Sequence, residues 1–187
     1  MLNQNKIIEL IISLVSIILS NMLSLYISIP IGLSEIRVID MPITWQIPLI
    51  IFITLTFTES ITLIAYSIYL VIGIFFLPVF TDGGSLGYIL LPNFGYLLGI
   101  YALIKSLNRL QINKNINIKQ FFKLSILGLI KMHLIGIIYI FILYTFYDNL
   151  NLLIYNIGRF TFSKLPFEIL MLFPVIFLLK IKRKLRT

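Results

Sequence analysis

Long apolar runs separated by short polar interruptions set the organisation of this chain. The first runs from Ile7 to Ile29 and is stopped by Pro30 and Gly32. At 1.5 Å per residue, about 20 such residues cross the roughly 30 Å hydrocarbon core of a bilayer. Its only charged member, Glu9, stands close enough to the end to reach the interface. A polar link, Ser34 to Asp40, leads to a shorter run, Ile47 to Phe57, whose helix is expected to begin near Thr44 or to tilt. Glu59 and Ser60 mark a tight turn before a third span, Ile61 to Leu77. A fourth begins at Asn93 or Phe94 and reaches Leu107, and a polar link from Lys105 to Lys123 follows. The fifth covers Phe121 to Phe146, Asp148 to Ser163 is a mixed link, and the sixth runs from Leu165 to Leu179 before the basic tail KIKRKLRT. The pattern predicts an all-α polytopic membrane protein, with six transmembrane helices in one domain over residues 1–187.

One stretch breaks the oily monotony. In LPVFTDGGSLGYILLPNFGYLLG, Leu77 to Gly99, the residues Gly83, Gly84, Gly87, Pro78, Pro92, Asp82 and Asn93 fall between two apolar segments. Glycine permits backbone approaches that a Cβ forbids, and proline interrupts a helix. Irregular backbone at membrane depth is tolerated only at the surface or along a protein cavity. The stretch reads either as a plain connection or as the roof of a cavity.

Composition agrees with lipid as the solvent: 59% of the residues are hydrophobic, more than a soluble domain of this size carries. The first run is too long for a signal peptide and lacks a small-residue cleavage site, so it is expected to be retained. Cysteine is absent, which excludes disulfides and thiolate metal sites. The net charge of +8 is explained by its placement. With six spans, Lys6, Lys105, Arg109, Lys114, Lys119, Lys123 and the basic tail share one side. The other side holds Arg37, Arg159 and Lys164 against Glu35, Asp40, Asp82 and Asp148. Excess Lys and Arg marks the cytoplasmic face, which puts both termini inside and the glycine-rich loop outside. The basic residues are thus topology determinants and contacts to anionic lipid rather than a nucleic-acid surface.

Ser16, Ser20, Ser24 and Ser28 recur every four residues, with Ser13 one turn earlier. On a helix they share one face, and small residues let helices approach closely in lipid. That face serves either internal packing or a partner. Gly95 and Gly99, one turn apart, are read as internal packing. For chemistry the chain offers little. His133 is the one histidine; without carboxylates nearby in sequence it makes no metal site and is read as a satisfied helix residue. No phosphate-binding glycine motif occurs, and no clustered nucleophile, acid and base marks an enzyme. The outer half instead gathers Trp45, Gln46, Tyr88, Asn93, Tyr96 and Glu168. Glu168, two residues past Pro166, either caps the sixth helix electrostatically or accepts hydrogen bonds from ligand N–H groups.

The segments MPITWQ (Met41 to Gln46), LPVFTDGGSLGY (Leu77 to Tyr88), LPNFGYLLG (Leu91 to Gly99) and HLIGIIY (His133 to Tyr139) together resemble the BioY family. The likeness covers most of the chain from Met41 to Met171. It implies a biotin-binding, substrate-capture membrane subunit (S component) of an energy-coupling-factor (ECF) transporter, taking biotin from the outer face. It implies as partners a transmembrane coupling subunit and ABC-type ATPases, which consume the ATP, and no cofactor on this chain. In such S components a small-residue face on the first helix docks against the coupling subunit, which here assigns Ser16, Ser20 and Ser24. The expected substrate-binding residues are Trp45, Gln46, Gly84, Tyr88, Asn93, Tyr96, Lys164 and Glu168, with Lys164 or Arg159 beside the ligand carboxylate. The sequence departs from the family pattern where Glu168 replaces an aspartate, Met171 replaces a lysine, and Asn93 and Phe94 stand where Thr and Gly are common. Alternatives are an S component for another vitamin and a non-transporting membrane scaffold. The expected location is the plasma membrane.

Overall fold

Six helical segments follow the six apolar runs, and an antiparallel hairpin is set between the first two. The computed structural model describes residues 4–31, 35–81, 83–111, 117–145 and 150–184. Gly32, Ser34, Asp82, Lys114, Phe146, Asp148 and the last three residues of the basic tail, named above, lie outside the described residues.

Helix α1 (Gln4–Met22) buries Ser13, Ile17, Ser20 and Asn21 on one face and exposes Ile8, Ile11, Val15 and Leu19. It ends at Met22, short of the expected Ile29, because residues 24–31 are extended. Strand β1 (Ser24–Ile31) pairs with β2 (Glu35–Thr44), from Ser24 opposite Thr44 to Ile31 opposite Glu35. The segment SLYISIPI carries β-branched residues at alternate positions and a proline. Both favour extended backbone over helix, and pairing satisfies the main-chain groups that a helix would otherwise satisfy. The serine row is therefore shorter than its sequence spacing: Ser24 and Ser28 lie in a strand. Ser20 is 3% exposed and donates its hydroxyl to the Ile17 carbonyl at 2.9 Å, while Ser16 is half-buried.

Helix α2 (Gln46–Thr56) is short and apolar almost all round, with Ile47, Ile50, Ile51 and Ile53 buried. A helix without a polar face belongs inside, and α2 packs against α1, α3, α4 and α8. Helix α3 (Glu59–Phe75) begins where a turn was expected. The Thr58 side chain accepts from the Ile61 N–H at 3.4 Å, and Glu59 sits in the first turn, where the helix dipole favours an acid.

The glycine-rich stretch makes a short 3₁₀ turn, Leu86–Leu90, before α4 (Phe94–Gln111). Helix α5 (Ile118–Thr145) runs against α4 in the most extensive helix pairing of the fold. Gly99 makes this possible: a Cβ there would stand 2.4 Å from the Met132 carbonyl oxygen. At Gly95 a Cβ would meet Tyr139, so both glycines serve internal packing.

The last apolar region differs most from expectation. Helical structure resumes at α6 (Leu150–Ile157), within the stretch read as a link, and passes through a π-helical turn, Gly158–Phe162. It continues as α7 (Leu165–Leu170) and α8 (Leu172–Lys184). Pro166 opens α7 and Pro174 sits in the first turn of α8, positions where the missing N–H costs nothing. The stretches Gln4–Met22, Ile118–Thr145 and Leu150–Lys182 are long and apolar enough to cross a membrane, and α2 and α3 are shorter apolar helices. Rows of exposed Ile, Leu and Phe on α1, α5 and α8 make lipid the solvent of the outer surface. This is a membrane protein.

Candidate functional site

A cavity of about 300 Å³ lies where α2, α4 and α7 begin, at the end of the hairpin that joins α1 and α2. Three rings stack along one wall. Tyr69, near the end of α3, meets Phe80 edge-on at 5.3 Å, and Phe80 meets Tyr88 at 4.5 Å. An amide ties each end: Gln46 Nε2 donates to the Tyr69 hydroxyl at 3.1 Å, and Asn93 Nδ2 donates to the Tyr88 hydroxyl at 2.6 Å. Gln46 is there because it is the first residue of α2, and Asn93 because it directly precedes α4. The loop carrying Phe80 is pinned by Asn21 at the end of α1. Its Nδ2 donates to the Val79 carbonyl at 2.9 Å, and its Oδ1 accepts from the Thr81 hydroxyl at 3.0 Å.

The facing wall is charged. Glu168, in the first turn of α7, is 4% exposed, and its Oε2 lies 2.8 Å from His133 Nε2 on α5. In the tautomer with its proton on Nε2, His133 donates to the carboxylate in this contact. The edge of Tyr96 supports the imidazole with ring centroids 5.5 Å apart, and the Tyr96 hydroxyl bonds Thr161 at 2.7 Å. Thr161 belongs to the π-helical turn. Such turns recur at functional sites, and this one also presents Phe160 with Arg159 and the neighbouring Lys164 over its ring at 5.2 and 5.1 Å. A buried carboxylate is costly unless its lone pairs are met. Among the described residues the Glu168 carboxylate has one hydrogen bond, that to His133.

The cavity brings together Gln46, Tyr88, Asn93, Tyr96, Lys164 and Glu168, all named from sequence. It does not include Trp45 or Gly84. Trp45 is 38% exposed beside the hairpin base. Gly84 packs under the loop, where a Cβ would meet the Gly73 carbonyl oxygen at 2.5 Å. Ser24, assigned above to docking, lines the cavity instead, as does Arg159. His133 corrects the reading of an isolated helix histidine: its carboxylate arrives from 35 residues away, a distance over which sequence spacing carries no signal. Tyr69, Asn21 and Thr161 were likewise unmarked. No group of three potential metal ligands occurs among the described residues.

Comparison with known proteins adds three likenesses. The profile of the BioY family matches residues 1–186. A protein of Lysinibacillus sphaericus described as a probable biotin transporter BioY is 34% identical over 86 residues, 45% of this chain and 43% of that protein. The match thus spans less than half of that relative's length. A crystal structure described as the S-component for biotin from an ECF-type ABC transporter superposes with a TM-score of 0.62 at 23% identity. That superposition covers 100% of this chain and 94% of the other, a likeness of fold.

Proposed function

The chain belongs to the BioY family, and from that premise we propose that it is the biotin-capturing S component of an energy-coupling-factor transporter, a binding subunit and not an enzyme. The observation that carries this reading is Glu168, a buried cavity carboxylate with one oxygen taken by His133. Biotin carries two N–H groups and a carbonyl in its ureido ring. Burying these unpaired costs roughly 1–3 kcal/mol each. Glu168 is the acceptor, and the amides of Asn93 and Gln46 are the donors across the cavity. The stacked rings Tyr69, Phe80 and Tyr88 suit the thiophane ring and valeryl chain, since small-molecule sites are mostly apolar with few orienting polar groups. The ligand carboxylate lies by Arg159 or Lys164. ATP is used by partner ATPases, not by this chain, and the membrane is the plasma membrane. Mass spectrometry of what co-purifies with the detergent-solubilised protein tests the reading. Recovered biotin supports it, a different vitamin redirects it, and an empty protein that binds no biotin leaves a scaffold.

The same reading sets the cavity towards the outside and both termini in the cytoplasm, as the basic residues require. With no native cysteine, single replacements report this directly. Ser85→Cys and Asn117→Cys are both at exposed positions. An impermeant thiol reagent on intact cells is expected to label the first and spare the second; the reverse pattern rejects the orientation.

Docking to the coupling subunit is proposed to run along α1, with the outward members of its small-residue row. Ser16 is half-buried and Ser20 is buried within the protein, so the two now predict different defects. Ser16→Leu is expected to weaken co-purification with the coupling subunit while thermal stability and biotin affinity hold. Ser20→Leu overpacks the protein's own interior and should destabilise it by about 1–3 kcal/mol. Equal loss of complex without loss of stability in both variants would return Ser20 to the docking face.

A further inference from the structure

Two cations stand over one ring at the wall of the cavity. Arg159 Cζ lies 5.2 Å from the centroid of the Phe160 ring, and Lys164 Nζ lies 5.1 Å from it. All three residues line the cavity. On a regular α-helix, residues five apart point about 140° away from each other, which would put these two cations on either side of Phe160. The π-helical turn removes that obstacle. The Ser163 N–H bonds the Gly158 carbonyl at 3.0 Å, and a turn closed over five residues brings Arg159 and Lys164 towards one side. The ring itself is fixed. Phe160 is 8% exposed and packs at 5.8 Å on Tyr96, whose hydroxyl is tied to Thr161. Among the described residues Glu168 is the one carboxylate that lines the cavity, and its ion pair is with His133 rather than with either cation.

We propose that Phe160 is the positioning residue of an anion subsite: it holds the Arg159 and Lys164 side chains ready at the cavity wall, so that the protein takes the free acid of its ligand in preference to neutral amides and esters. This rests on the reading of the chain as a biotin-binding subunit. A long cationic side chain loses rotamer freedom when a ligand fixes it. One already resting on the negative face of an aromatic ring has given up part of that freedom beforehand. The guanidinium then meets a carboxylate with two parallel N–H groups, and the ammonium adds a point charge. An amide offers neither cation a charge. Phe160 acts through the two cations and sets which form of the ligand is read.

Biotin and its primary amide, which differ only at the tail, make the test. Wild-type protein is expected to prefer the acid by about ten-fold or more, since hydrogen bonds to a charged group are at stake. In Phe160→Met the ring is gone and the ligand must order both cations itself, so the preference should shrink by about two-fold to ten-fold for each. Phe160→Tyr keeps a ring and should keep the preference. Fluorination of the ring at this one position preserves its shape but drains its negative face, and should act as Phe160→Met does even if that variant fails to fold. Arg159→Gln, at an exposed position, should also shrink the preference. A role for Phe160 confined to packing would weaken acid and amide together and leave their ratio alone. A ratio unchanged by ring fluorination or by Arg159→Gln overturns the inference. So does a wild-type protein that binds acid and amide equally, which would leave the cations to lipid headgroups. The functional reading stands in each of those cases, whereas wild-type protein without affinity for biotin or its amide overturns both.

Discussion

Glu168→Gln is expected to lower biotin affinity about ten-fold to a hundred-fold. Hydrogen bonds to a charged group contribute about 1.5–3 kcal/mol, and each 1.4 kcal/mol is about a factor of ten. The neighbour sharpens the argument. His133 already donates to Oε2 at 2.8 Å, so a glutamine has one carbonyl to divide between two donors. If that carbonyl meets His133, its NH₂ faces the ligand N–H; if it meets the ligand, its NH₂ faces the imidazole. The first orientation sets two donors against each other, and the second requires the imidazole to carry its proton on Nδ1 so that Nε2 accepts. The competing reading, that Glu168 merely caps the last helical region, predicts a stability loss of about 0.3–1 kcal/mol with affinity unmoved. The structure turns the side chain towards α5, away from the start of its own helix, and α7 is six residues long. Calorimetric titration with biotin, beside thermal unfolding of the ligand-free protein, separates the two. Unchanged affinity with a lowered melting temperature rules out ligand contact.

Gly99→Ala is expected to cause the largest loss of stability from a single methyl group. The added Cβ would lie 2.4 Å from the Met132 carbonyl oxygen and 2.9 Å from its Cα. These are backbone atoms, so no side chain can rotate away and the two helices must part. In lipid, association depends on such close packing because hydrophobicity does not hold helices together. Overpacking of this kind costs about 1–3 kcal/mol, or about 2–4 °C in melting temperature per kcal/mol for a chain of this size. Because Met132 and His133 are adjacent on α5 and both line the cavity, separation of α4 from α5 should also weaken ligand binding. Gly87→Ala is the control: its Cβ would meet only the Ser85 hydroxyl oxygen, at an ordinary 3.5 Å. Equal melting temperatures for the two variants would mean that the α4–α5 contact tolerates expansion.

The residues that sequence and structure assign differently follow a rule. The serine spacing left Ser20 open to internal packing or a partner and the family resemblance gave it to docking, yet it faces inward. On a soluble helix the polar side is the solvent side; here Ile8, Ile11, Val15 and Leu19 face lipid, so apolar character no longer separates outside from inside. The hairpin was hidden for a related reason. Its first strand is as oily as the helix before it, and the length of an apolar run says nothing about whether the backbone bonds within itself or to a neighbour.

What the sequence determined alone was the membrane setting, the number and rough limits of the helical segments, and the family. A helix satisfies its own backbone, so the length and apolarity of a helical segment are local properties, legible residue by residue. The polar members of the cavity were legible as types, because an amide or carboxylate in an apolar chain has few other uses. Their partnerships were not. Glu168 meets His133 across 35 residues, Asn21 holds Val79 across 58, and Tyr96 meets Thr161 across 65. Those pairings exist because Gly99 lets α4 close on α5 and because the chain breaks at the π-helical turn, bringing Thr161 and Glu168 back to the same cavity. Only tertiary packing sets such separations, since a hydrogen bond of 2.8 Å leaves no trace in the spacing of residues that the rest of the fold must first bring together.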